Sequence, residues 1–205
     1  MTAIDPSSPA SAVLGLVLAG GRSVRFAGEK AAAELAGQPL LLRAVARLQH
    51  SCPIVAANVR PGTQSESLAR AAGLPLLYDE PGDALGPLAG VKVGLKWARG
   101  LGARALAVSP CDVPLLPQEL FARLIEAAGA GAAMAETADG LQPLCALWPV
   151  AALDPLTAAL QGGNHPATWR LLESVGAKRV RFPDARAFAN INTRADLAAA
   201  AASVR

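Results

Sequence analysis

Aromatic residues make up only 4% of this 205-residue chain and charged residues 17%. No uninterrupted apolar run approaches the ~18 residues that suggest a membrane span, so no membrane role is expected. Cysteine is scarce and odd in number: Cys52, Cys111 and Cys145 lie far apart and form no CxxC pair, which argues against a disulfide framework and a zinc site and fits a reducing compartment. The opening MTAIDPSSPASA lacks the basic n-region of a secretion signal, so residues 1–12 read as a short flexible segment and the protein as cytoplasmic. Nineteen Lys and Arg face sixteen Asp and Glu, and the resulting +3 is scattered rather than gathered into a stripe, so no nucleic-acid partner is indicated.

What the chain has in quantity is apolar residues, 52%, which excludes intrinsic disorder. A core at this length buries roughly 70% of the unfolded chain's surface, enough for one domain without a staple. Short apolar runs alternate with helical patterns, the mark of βα units around a mostly parallel sheet. Strands are expected at Val13–Leu18, Ile54–Val59, Leu74–Tyr78, Ala105–Ser109, Ala132–Glu136, Leu144–Trp148 and Lys178–Phe182. Helices are expected from Pro39 to Gln49, from Thr63 or Ser65 to Ala72, from Gly86 to Gly100 and from Pro117 to Ala128. Further helices follow near Val150–Leu160, at Pro166–Val175 and after Asn192. The fold class is α/β: a single three-layer α/β/α domain with a mostly parallel, mixed sheet.

Directly after the first strand comes LAGGRSVRFAGEK. Adjacent glycines at a strand's carboxyl end let the backbone turn sharply and present N–H groups to a ligand. Arg22, Arg25 and Lys30 add three cations within nine residues, a density suited to a polyphosphate. The spacing after Gly20 breaks the GxGxxG dinucleotide fingerprint, and Gly-Lys, which a Walker loop needs, occurs nowhere. The alternative is a plain glycine turn with surface cations.

The second constellation is SPCDVPLLP, after a buried strand. A carboxylate at that edge of a parallel sheet lies where ligands bind and suits Mg²⁺, so Asp112 is a candidate metal ligand; otherwise it caps the next turn. Cys111 reads as packing. In YDEPGDALGPLAGVKVGL, the GPLAG turn opens a helix whose N–H groups can face an anion or base. In FANINT, Asn190 and Asn192 offer amide groups to a metal or an acceptor phosphate, while Thr193 and Asp196 form a capping box. His165 reads as a surface or packing histidine, and Trp97, Trp148 and Trp169 as core or rim residues. Taken alone, Asn58 is an ordinary turn residue.

LAGGRSVRFAGEKAAAELAGQPLL resembles the amino-terminal signature of the molybdenum cofactor guanylyltransferases, the MobA family of nucleotidyltransferases, and the later motifs follow in that family's order across nearly all of residues 13–200. The resemblance implies a nucleotidyltransferase domain over 13–205, with a nucleotide-binding half at about 13–115 and an acceptor half at about 116–205. It implies a nucleotide site of Leu18, Ala19, Gly20, Gly21, Lys30, Asn58, Asp79, Gly86, Gly90 and Asp112. Arg25 and Lys30 would neutralise the triphosphate, Asp112 would hold Mg²⁺ and Asp79 would help recognise guanine. Gln142, Asn190 and Asn192 would serve the acceptor. The implied reaction moves GMP from GTP to the phosphate of molybdenum-bearing molybdopterin, with GTP, molybdopterin and molybdoenzyme maturation proteins as partners. The rival readings are a cytidylyltransferase, a sugar-phosphate nucleotidyltransferase and a non-catalytic molybdopterin-binding scaffold. The doubled glycine of LAGG resembles the purine users, since the cytidine-using relatives resemble LAAG. Departures from the family pattern are Ala27 for Gly, Glu29 for Asp, and Asn164 and His165 where basic residues are usual.

Overall fold

A computed structural model of the chain describes residues 12–21, 26, 28–81 and 86–203. The first strand, β1 (Val13–Leu18), is buried nearly throughout, as the unbroken VLGLVL run requires. Past the glycine loop, Lys30–Ala32 forms one 3₁₀ turn, followed by a two-residue hairpin, β2 (Glu34–Leu35) and β3 (Gln38–Pro39). The hairpin is absent from the expected strands; Ala36 and Gly37 take φ of 51° and 76°, the twist a tight hairpin turn needs. Helix α1 (Leu40–Gln49) starts after Pro39, strand β4 (Val55–Asn58) returns, and α2 (Gln64–Ala71) is capped by the Thr63 side chain.

Strand β5 (Leu76–Leu77) is shorter than the expected Leu74–Tyr78 and lies at the edge of the sheet, paired with β4. Helix α3 (Pro87–Gly100) has Pro87 in its first turn, and β6 (Ala105–Pro110) is wholly buried. Helix α4 (Leu120–Ala128) begins three residues beyond Pro117, whose carbonyl accepts from the Leu120 N–H in a turn. Then come the antiparallel pair β7 (Ala133–Thr137) and β8 (Gly140–Pro149), helices α5 (Leu153–Leu160) and α6 (Thr168–Ser174), strand β9 (Lys178–Arg181) and helix α7 (Arg194–Ser203).

The main sheet runs β5-β4-β1-β6-β8-β7-β9, with β8 antiparallel to both neighbours and the other pairings parallel. Alternation along the strands sends one set of side chains to each face. Val13, Val17, Ala57, Ala105 and Ala107 pack with α1, α2 and α4; Leu14, Leu16, Ala56, Leu106 and Val108 pack with α3, α5 and α6. This is the expected three-layer α/β/α sandwich. A third small core, of Phe26, Leu35, Leu40, Ile191 and Ala200, ties the hairpin to α7. Among the described residues, no helix is long and apolar enough to cross a membrane.

Chain order carries the strands outward from β1 through β4 to β5 and then back to β6 on the other side. The carboxyl ends of β1 and β6 therefore flank a topological switch point, where open α/β sheets bind ligands.

Candidate active site

At that switch point lies a cavity of about 480 Å³. Leu18, Ala19, Gly20, Gly21, Lys30, Asn58, Asp79, Gly86 and Asp112 all line it. Register explains the convergence: Leu18 is level with Asn58 on one side and Pro110 on the other. Residues just beyond these strand ends have to meet in one crevice.

At one pole, Lys30 Nζ donates to Asp112 Oδ2 at 2.9 Å and to Asn192 Oδ1 at 3.0 Å. Lys30 follows the glycine loop, Asp112 follows β6, and Asn192 precedes α7. Each is supported by its own element. The Ile191 N–H donates to the Asp112 carbonyl at 2.7 Å, joining the two loops. The Asp196 carboxylate accepts from the Asn192 and Thr193 N–H groups, both at 2.8 Å, and the Thr193 hydroxyl accepts from the Asp196 N–H at 3.1 Å. This is the expected capping box, and it fixes the backbone that carries the Asn192 amide. The same two N–H donors hold the Asp196 carboxyl below its ordinary value. The Lys30 and Asp112 side chains are 14% and 25% exposed, so a ligand in the cavity can reach both while bulk water is largely excluded.

At the other pole, Asn58 is 4% exposed and donates to Asp79 Oδ1 at 2.8 Å. Gly90, on the first turns of α3, sits behind it: a Cβ there would stand 2.5 Å from Asn58 Oδ1 and 2.8 Å from a Leu18 methyl. Glycine is thus required for the helix to approach this closely. Asp79 is carried by a braced segment, since Glu80 pairs with Lys92 at 3.0 Å and Lys96 at 2.6 Å on α3. Those lysines hold the Glu80 carboxyl below its ordinary value.

The two poles share a platform at the start of α2. Glu29 accepts from the Gln64 N–H at 2.6 Å, the Ser65 N–H at 2.9 Å and the Ser65 hydroxyl. Partial burial pushes the Glu29 carboxyl up, but the Ser65 hydroxyl, the two N–H groups and the nearby Arg60 charge outweigh it, and the net shift is downward. The residue that departs from the family pattern thus serves as an anchor, fixing the backbone next to Lys30. Arg60 also lines the cavity. The sequence reading missed both roles; the available signals were a carboxylate directly before the lysine and a cation two residues past Asn58.

Residues 15–180 match the family described as the MobA-like NTP transferase domain. The chain belongs to the MobA-like NTP transferases. It is 38% identical over 204 residues to a molybdenum cofactor guanylyltransferase of Cereibacter sphaeroides, covering 94% of this chain and 97% of that one. A molybdenum cofactor guanylyltransferase of Rhodobacter capsulatus is 40% identical over 193 residues, covering 92% and 94%. Among solved structures, the molybdopterin-guanine dinucleotide biosynthesis protein A of Archaeoglobus fulgidus superposes with a TM-score of 0.71 at 25% identity, over 93% of this chain and 97% of that one.

Not every expected site residue of this MobA-like transferase joins the cavity. Arg25, with Arg22 and Ala27, lies outside the described residues. Gln142, on β8, donates to the Thr137 hydroxyl at 3.4 Å, and Asn190 is exposed in a separate groove between Leu115 and α7; neither lines the cavity. His165 packs on Gly86: a Cβ at that glycine would stand 2.1 Å from its Nε2, a buried atom with no hydrogen-bond partner among the described residues. Cys111 lines the cavity wall, with its thiol pushed up to about 12 by burial and the neighbouring Asp112 charge. Trp148 is fully buried in the core, whereas Trp169 is exposed.

Proposed function

We propose that this chain transfers GMP from GTP to the terminal phosphate of molybdenum-bearing molybdopterin. An oxygen of the acceptor phosphate bonds to the α-phosphorus, the bond from that phosphorus to the β-phosphate oxygen breaks, and pyrophosphate leaves. The carrying observation is that Lys30 Nζ meets both Asp112 and Asn192 within 3.0 Å, bringing groups from both ends of the chain to one point. The attacking phosphate is already anionic and needs no general base; the work is to hold two polyanions and spread charge.

In this reading Lys30, with Arg25, neutralises the phosphoryl group under attack, and the Gly20 and Gly21 amides cradle the phosphates. The Asn58–Asp79 pair offers a fixed carboxylate to the donor edge of guanine. Asn192 stands on the acceptor side of the lysine. Among the described residues, no three His, Cys, Asp or Glu side chains are grouped as a metal cage. One carboxylate beside one amide oxygen fits an ion that keeps most of its shell as water and phosphate oxygen, as Mg²⁺ does. Asp112 and Asn192 would hold it. Bound there, it would neutralise oxygens of the reacting phosphates.

The test is incubation with α-labelled GTP or CTP, Mg²⁺ and molybdenum-loaded molybdopterin. Labelled dinucleotide and pyrophosphate are expected from GTP; no transfer, or a preference for CTP, would refute the reading.

A further inference from the structure

We propose that Arg60 binds the β- and γ-phosphates of the nucleotide, the part that departs as pyrophosphate. This rests on the GTP reading above and assigns a residue to its leaving group. Arg60 follows β4 by two residues, is exposed, and lines the cavity. Among the described residues its guanidinium makes no hydrogen bond, and its nearest noted charge is the Glu29 carboxylate, which is already held by Gln64 and Ser65. Its stem runs beside the doubled glycine, with Cγ 3.9 Å from where a Cβ on Gly20 would stand.

The backbone beneath it is fixed. Its carbonyl accepts from the Thr63 hydroxyl at 2.6 Å, in the turn that starts α2. Glu29 grips that same helix start through Gln64 and Ser65, so Arg60 and the residue preceding Lys30 stand on one platform. A planar guanidinium fork carried on a fixed backbone can grip phosphate oxygens bidentately.

Charge distribution favours phosphate over base. The Asn58 side of the cavity carries the Asp79 carboxylate, which repels phosphate and accepts from a base's N–H groups. Arg60 brings a positive charge to the cavity wall beside Gly20, in the doubled-glycine loop assigned to the phosphates.

The experiment measures GTP, GMP and inorganic pyrophosphate binding by calorimetry, with Mg²⁺, on wild type, Arg60→Gln and Arg60→Lys. Arg60→Gln should weaken GTP and pyrophosphate about ten- to a hundredfold, the cost of losing a hydrogen bond to a charged group, and leave GMP unchanged. Arg60→Lys should fall between, keeping the charge and losing the fork. Equal losses for GMP and GTP would mean a nucleoside contact and overturn the proposal, as would unchanged pyrophosphate binding. If wild type neither binds GTP nor releases pyrophosphate, the guanylyl-transfer reading itself fails; if wild type does both and Arg60→Gln matches it, only the Arg60 assignment falls.

Discussion

Lys30 bonds to both Asp112 and Asn192, so its loss removes a cation from the proposed reacting centre and leaves a part-buried carboxylate facing an amide oxygen. Lys30→Ala should lower kcat about 10²–10³-fold, the usual cost of one electrostatic stabiliser. Far-ultraviolet circular dichroism should stay unchanged, because the side chain serves the cavity rather than the core. Gly90→Ala should act differently: the added methyl drives Asn58 and Leu18 aside, costing about 1–3 kcal/mol of overpacking and raising KM for GTP more than it lowers kcat. Thermal denaturation and steady-state kinetics check both effects. At this scale the sequence shows residue types but not partners. Lys30 and Asp112 stand out by motif, yet 82 positions separate them, and only the β1–β6 pairing brings them together. Arg60 and Glu29 lie close in sequence to Asn58 and Lys30, but what they hold shows only when the start of α2 is seen beside them.

Elements position the site through their ends. Helix α2 is capped twice, by Thr63 within the chain and by Glu29 from the glycine loop, so its first turn both satisfies its N–H groups and tethers residue 29. Glu29→Ala should cost about 1 kcal/mol of stability. It should also lower kcat by letting Lys30 drift, while Glu29→Asp should recover activity in part; melting temperature and turnover, measured together, separate the two roles. Apolar runs and capping residues made β1, α1, α3, β6 and the Thr193–Asp196 box legible in the sequence, because those signals are local. The β2–β3 hairpin was not, since a two-residue strand has no period and its turn uses Ala36 at positive φ, a conformation a non-glycine residue seldom takes. The shortness of β5 was hidden for a related reason: apolar residues at a sheet edge read the same whether or not they pair.

Across the whole molecule, the carboxyls of Glu29, Glu66 and Asp196 all lie below their ordinary values, held mainly by N–H and hydroxyl donors and, for Glu66, by Arg70. Groups depressed in the folded state stabilise it at pH above their unfolded values, 4.5 for the glutamates and 3.8 for Asp196. Stability should therefore hold from neutrality down to about pH 4.5 and fall as the pH drops through the folded values. Urea denaturation between pH 7 and 3 checks this; stability that rose on acidification would contradict it. The three cysteines are buried and unpaired, and burial lifts the Cys52 and Cys111 thiols to about 12, so the native protein should resist alkylation that the unfolded chain undergoes at all three. The proposed transfer depends on the sheet bringing Lys30 and Asp112 to one triphosphate. The direct test is the single-turnover rate of GMP transfer by Asp112→Asn at saturating GTP and Mg²⁺, with GTP affinity measured alongside. The account predicts a rate about 10²-fold or more below wild type with the fold intact; wild-type turnover by that variant would contradict it.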